Sequence, residues 1–425
     1  MISEEIRKQM LEILLEELIP AMGCTEPIAL AYAAAVARKY FKEMPDHITA
    51  YCSGNMIKNV RCVTIPNSQG MVGIEVATVL GMIGGDASRV MEVLESVKTE
   101  DVKATKEYVD MRKCKVEYLD SNIPLHFIIE AVQKDTVVRV EVTNSHTHIA
   151  SITVNGDEQL NRADSPEKET IHKTDRSIFS IEKIKDFADS VPLEDIRPIY
   201  DRQIQYNMNI AYEGISGDYG LRIGRTIREQ YADGVVTRMK AFASAASEAR
   251  MSGCDMPVII TSGSGNQGIT SSVPVIVYAR EKNIPQEKLY RSLVFSSLLT
   301  IYQKEFIGKL SAFCGAVSAS CASGAAITYM VGGTTKQITD TIDNTLANIP
   351  GIICDGAKIS CAAKIASSID AAMMAHFLAI GGKAYEAYTG ILKEEVGETI
   401  SCVGHIGKVG MRQTDKEIIN MMLKS

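Results

Sequence analysis

Residues 125–144 read Leu-His-Phe-Ile-Ile-Glu-Ala-Val-Gln-Lys-Asp-Thr-Val-Val-Arg-Val-Glu-Val-Thr-Asn. Two runs, Leu125–Gln133 and Val137–Asn144, alternate apolar and polar side chains, the period of a strand buried on one face. Lys115–Leu119 before them and Ala150–Val154 after them repeat the alternation, and Asn155-Gly156 closes the series as a turn. The stretch predicts an antiparallel meander. Past about residue 181 strand patterns all but vanish, apart from one short run at Val258–Thr261. The fold class expected is therefore α+β. An N-terminal α/β domain with the meander spans 1–185, and an all-helical domain spans 186–425.

The 425 residues exceed what one hydrophobic core usually supports, which agrees with two domains. Upstream of the meander, Ile6, Met10, Ile13, Leu14 and Ile19 recur at helical spacing over residues 2–19. This first helix could pack on the second domain. An Ala-rich helix is expected from Thr25, a suitable N-cap, to about Phe41. Short β-like runs follow at Ile48–Cys52 and Val60–Ile65, and helical patterns at 72–84, 86–97 and 99–112. The polar stretch 155–180 reads as an exposed connection. Beyond it, helical patterns cover 181–189, 193–213, 222–250, 286–305, 309–331, 335–348, 358–380 and 405–423.

Composition narrows the function. The chain is 46% apolar and 23% charged with net charge −7, and no basic run interleaves with aromatics, so nucleic acid is not an expected partner. Residues 256–279 and 310–335 are uncharged but rich in Gly, Ser and Ala, which suits burial inside protein better than lipid. The charged N-terminus does not read as a signal peptide, and ten cysteines without one argue against a disulfide framework. A cytoplasmic protein with no membrane partner is expected. Its apolar, small-residue helices favour a homo-oligomer.

Thr261-Ser-Gly-Ser-Gly-Asn-Gln-Gly-Ile269 contains a literal G-x-G-x-x-G. A dinucleotide fold would need a second parallel strand after the helix, and the sequence offers another helix. Glycine-rich backbone at a helix start still suits a small anion. Ser264, Asn266 and Gln267 are the expected contacts to a substrate carboxylate; a plain packing turn is the competing reading. No lysine lies in a setting suited to a pyridoxal-phosphate Schiff base.

Cys314 and Cys321, and Cys354 and Cys361, stand seven apart, about 10 Å along a helix. That is too far for a zinc-binding pair. A larger iron–sulfur cluster built from separate segments is feasible, with buried structural cysteines as the alternative. Cys24 and Cys354 sit in Gly-containing loops leading into helices, where the helix start favours thiolate. His146 and His148 alternate in Asn-Ser-His-Thr-His, which suggests metal, although an exposed strand edge explains them as well.

Five blocks occur in order: Met22-Gly-Cys-Thr-Glu-Pro-Ile-Ala29, Ser53-Gly-Asn55, Ser262-Gly-Ser-Gly-Asn-Gln-Gly268, Phe313-Cys-Gly-Ala316 and Ile353-Cys-Asp-Gly-Ala-Lys358. With them the chain resembles the L-cysteine desulfidase family, relatives of the iron–sulfur L-serine dehydratases. The resemblance implies a [4Fe–4S] lyase without pyridoxal phosphate that converts L-cysteine to pyruvate, ammonia and sulfide. It places the cluster on Cys24, Cys314 and Cys354, with Cys321 and Cys361 as neighbours. Related serine dehydratases can cap the fourth iron with a terminal cysteine. This chain reads Met421-Met-Leu-Lys-Ser425, so that iron is expected to face a small amino-acid substrate.

Lys358 and Glu26 are candidates for the base that removes the Cα proton, and Asn55 for binding the substrate's ammonium or carboxylate. Each also has an ordinary structural reading: a helix-start lysine, an N-terminal helix charge, a turn asparagine. L-Serine dehydration on the same cluster, or a cluster-free small-ligand-binding protein, are the alternative functions.

Overall fold

The computed structural model describes residues 2–161, 174–308 and 310–424. Its first part runs α1 (Glu4–Glu17), β1 (Pro20–Met22), α2 (Thr25–Arg38), β2 (His47–Cys52), α3 (Gly54–Val60), α4 (Ile74–Gly84) and α5 (Thr99–Asp110). Five strands follow: β3 (Cys114–Tyr118), β4 (His126–Gln133), β5 (Thr136–Thr143), β6 (Ile149–Val154) and β7 (Asp157–Asn161). The sheet order is β3-β2-β4-β5-β6-β7. From β2 through β7 every neighbour is antiparallel; β3 alone runs parallel to β2.

Alternation fixes the sheet's buried face. Ala50, Ile129, Val140 and Ile152 form one ladder across four strands, and all four are buried. They join α2 and α4 in one hydrophobic cluster. The opposite face carries Tyr51, Glu130 and Arg139, which bond to one another in partial exposure. Fold class α+β is thus observed.

The rest is helical: α6 (Ile181–Ser190), α7 (Leu193–Ser216), α8 (Ile223–Gln230), α9 (Val235–Met251), β8 (Pro257–Ile259), α10 (Gly265–Glu281) and α11 (Gln286–Ile307). Then come α12 (Gly315–Met330), α13 (Thr335–Asn348), α14 (Cys361–Ile380), α15 (Val396–His405) and α16 (Arg412–Lys424). Every residue of α12 from Ala316 to Met330 is buried. Small side chains permit this: Gly324 faces Ala372 of α14 so closely that a Cβ would lie 3.0 Å from it. Hydroxyls in such a helix need partners, and Thr328 Oγ1 donates back to the Gly324 carbonyl at 3.2 Å. Among the described residues α14 alone is long and apolar enough to cross a membrane, and half of its apolar window is buried inside the protein. Met10, Ile13 and Leu14 of α1 belong to the helical core, not to the sheet's.

Several sequence expectations are corrected. Val60–Ile65 is not a strand: Val60 ends α3, turns follow, and Thr64 makes only an isolated bridge to Val72, so tertiary context overrides the β-branched composition. The segment 86–97 is a 3-10 turn and loop with Val90 at φ 51°, not a regular helix. The 222–250 pattern breaks at Gly234 into two helices. Helices begin at Gly315 and Cys361, later than the periodicity indicated, because their first turns are given over to cysteine loops. β1, β7 and α15 were not anticipated as elements, whereas α10 is the helix expected after the glycine-rich loop. The 155–180 connection contains β7, and its residues 162–173 lie outside those described.

Candidate functional site

Two short backbone pairings assemble the site. β1 and β8 pair antiparallel, Pro20 with Ile259 and Met22 with Pro257. Thr25 Oγ1 then donates to the Gly263 carbonyl at 3.0 Å, which pins the Cys24 turn to the glycine-rich loop. Elsewhere Phe313 and Ile353 form an isolated bridge. Cys314 N–H donates to Ile352 O at 2.8 Å and Cys354 N–H to Ala312 O at 2.7 Å. The two cysteine loops are zipped together by main chain.

The Cys24 turn, the glycine-rich loop and the two cysteine loops line one cavity of about 100 Å³. Its wall holds Cys24, Cys314, Cys354 and Cys361, the glycine loop with Ser262, Ser264, Asn266 and Gln267, and the buried ionic groups Glu26, Arg250 and Lys304. Cys24 and Cys314 are the N-caps of α2 and α12, and neither thiol caps its helix. The loop's Ser264 does cap α10, accepting from Gln267 N–H at 3.5 Å. Gly265 has no side chain because a Cβ there would strike Arg250 Nε at 2.3 Å. The guanidinium therefore lies flat against the loop, with Nη1 donating to Asn266 Oδ1 at 3.1 Å.

The four thiols differ. Cys314 donates to Cys354, which holds the Cys354 thiol below its usual range despite burial, with Lys58 and the Gly356 N–H assisting. That shared proton and burial push Cys314 up. Burial raises Cys361, with Cys354 adding to the effect. Burial and the nearby Glu26 carboxylate raise Cys24, whose Sγ donates to Glu26 Oε2 at 3.2 Å. Burial lowers the Lys304 ammonium to about 8, against the pull of Cys314 and Cys354.

Of the expected residues, the structure gathers Cys24, Cys314, Cys354, Glu26, Ser264, Asn266 and Gln267. Two lie elsewhere. Lys358 does not line the cavity; its ammonium is paired with the Asp355 carboxylate, which Lys364 also holds. Asn55 lines a separate cavity of about 750 Å³ bordered by 118–125 and 407–420. His146, weighed as a strand-edge residue, lines the cysteine cavity from the turn between β5 and β6, whereas His148 stays at the strand end, bonded to Thr143. Cys321 is buried in α12, away from the cavity. Arg250 and Lys304 were missed: each is a basic residue in the last turn of a helix, a place where cations are commonplace.

The donor set suits a multinuclear group. Among the described residues no three His, Cys, Asp or Glu side chains close around a single metal ion. Four free thiols nonetheless face one cavity, beside the buried Arg250 guanidinium and the Lys304 amine. Arg250 Nε, Ser262 Oγ and Gln267 Oε1 are buried without hydrogen-bond partners, so the wall is built to be completed by something polar.

Residues 88–420 match the family described as serine dehydratase alpha chain. The chain is 46% identical over 420 residues to the UPF0597 protein of Lachnoclostridium phytofermentans, covering 98% of this chain and 99% of that one. It is 44% identical over 418 residues to the UPF0597 protein of Treponema denticola, covering 97% of each. A third such protein, from Finegoldia magna, is 42% identical over 419 residues, covering 98% of this chain and 100% of that one. The chain belongs to the serine dehydratase alpha chain family and is a lyase-type enzyme.

Proposed function

We propose that the chain is a [4Fe–4S]-dependent, pyridoxal-phosphate-independent lyase that eliminates sulfide from L-cysteine, giving pyruvate, ammonia and hydrogen sulfide. L-Serine dehydration in the same cavity is the alternative. The observation that carries the reading is the convergence of four thiols, Arg250, Lys304 and the glycine loop on one cavity. The family is generally iron–sulfur dependent, which supports it.

The cysteines would hold the cluster, which when bound supplies an iron with an open position, a Lewis acid toward the leaving sulfur. The chain's own groups do the rest. Arg250 and the N–H groups at the start of α10 receive the substrate carboxylate. Glu26, buried beside them, offers its carboxylate to the ammonium. Lys304 takes the Cα proton onto Nζ, since burial leaves part of it neutral near pH 8. The electron pair forms Cα=Cβ and the Cβ–S bond breaks, releasing hydrosulfide. The 2-aminoacrylate left behind tautomerises and is hydrolysed in water.

The ligand set has two readings. The resemblance favours Cys24, Cys314 and Cys354. Proximity favours Cys314, Cys354 and Cys361, whose thiols act on one another electrostatically, while Cys24 is engaged by Glu26. Anaerobic reconstitution tests the whole proposal. Wild type should take up iron and sulfide in the ratio of a [4Fe–4S] cluster and turn over L-cysteine faster than L-serine. Faster L-serine turnover transfers the assignment to dehydration, and an iron-free, colourless preparation rejects the cluster. Comparing iron content in Cys24→Ala and Cys361→Ala identifies the third ligand, because only one of the two should fall to background.

A further inference from the structure

Outside the cavity wall, one buried cation borders both zipped cysteine loops. Lys58 of α3 is 1% exposed, and its ammonium reaches Asp415 Oδ1 of α16 at 2.5 Å and the Ser311 carbonyl at 3.5 Å. Ser311 belongs to the Cys314 loop, where its Oγ accepts from Phe313 N–H at 3.2 Å and donates to Phe313 O at 2.9 Å. The backbone of the same lysine packs on the Cys354 loop: Gly356, at φ +98°, sits so close that a Cβ would fall 2.1 Å from the Lys58 carbonyl oxygen. Burying an ammonium costs several kcal/mol unless it is paired. Here the Asp415 carboxylate, 15% exposed, answers it.

Resting on the cluster reading above, we propose that Lys58 is a positioning residue for the cluster. It clamps the Cys314 loop to the Cys354 loop and sets a fixed positive charge behind their sulfurs. Asp415 secures that lysine from α16, so retention of the cluster depends on this helix being docked.

Full-length wild type, Lys58→Met, Lys58→Arg and the double variant Lys58→Met/Asp415→Asn would be reconstituted anaerobically. Iron content, the rate of iron loss to EDTA, and thermal unfolding of each metal-free chain would be measured. Lys58→Met should lose iron about 10- to 100-fold faster, the size of effect typical of residues that orient metal ligands. Lys58→Arg should recover most of the retention. The double variant leaves no unpaired charge, so its metal-free Tm should return toward wild type while iron loss stays fast. Wild-type iron loss in Lys58→Met, or retention restored together with Tm in the double variant, would reduce Lys58 to a structural ion pair and overturn the proposal. Wild type that takes up no iron would instead reject the cluster reading itself, and this inference with it.

Discussion

The sheet and the helices around α12 are both tightly packed, but they use opposite means. In the sheet, β-branched and aromatic residues alternate with polar ones, and a single face is buried. In α10 and α12, Ser, Ala, Gly and Thr are frequent around the axis and nearly all of it is buried. Large side chains stabilise by area; small ones let backbones approach, and the helix starts can then be aimed at one point. The comparison teaches that the sheet is built for buried area, and the small-residue helices for close approach that brings their starts to the cysteine cavity.

The largest effects should break the helical side of this comparison. Cys354→Ala should abolish cluster binding, read as iron per chain after reconstitution, with the far-UV circular dichroism of the fold intact. Lys304→Met should lower kcat about 10²- to 10⁴-fold, the usual contribution of a positioned base, while iron content stays at wild type. Should Lys304→Met lose its iron, the lysine's role as base would need replacing by one in holding the cluster. On the sheet side, Ile129→Ala should cost about 2–5 kcal/mol by urea unfolding and leave reconstituted iron per folded chain unchanged. A sheet variant that loses iron in proportion to stability would erase the distinction. Smallest, Ser264→Ala removes the α10 cap and should cost about 1 kcal/mol. It sharpens the comparison, because a rise in KM beyond that stability loss would show the hydroxyl also meets substrate.

The sheet was legible because alternation is local: each strand's pattern states which face is buried, and β4 and β5 follow it. The parallel β3 was not, since no local pattern tells parallel from antiparallel. Cys24, Cys314 and Cys354 could be named from motifs, and the cavity does bring them together. What no motif conveyed was the charge around them. Arg250, Lys304 and Lys58 reach the site only through tertiary packing, and each reads along the chain as an ordinary helical cation. Lys358 illustrates the converse: adjacency in sequence to a cysteine loop suggested a base, yet a neighbouring carboxylate, Asp355, claims it.

The pairing of β1 with β8 has a consequence for timing. Pro20 can find Ile259 only after the ribosome has made the sheet and the first four of the helices that follow it. The Phe313–Ile353 bridge must wait later still. Contacts so distant along the chain form slowly, after local structure is in place. Until then the thiols that end up in one cavity are scattered along a nascent polypeptide with nothing to share a metal between them. On the cluster reading proposed above, loading of iron and sulfide is accordingly a step for the finished chain, to be supplied after synthesis.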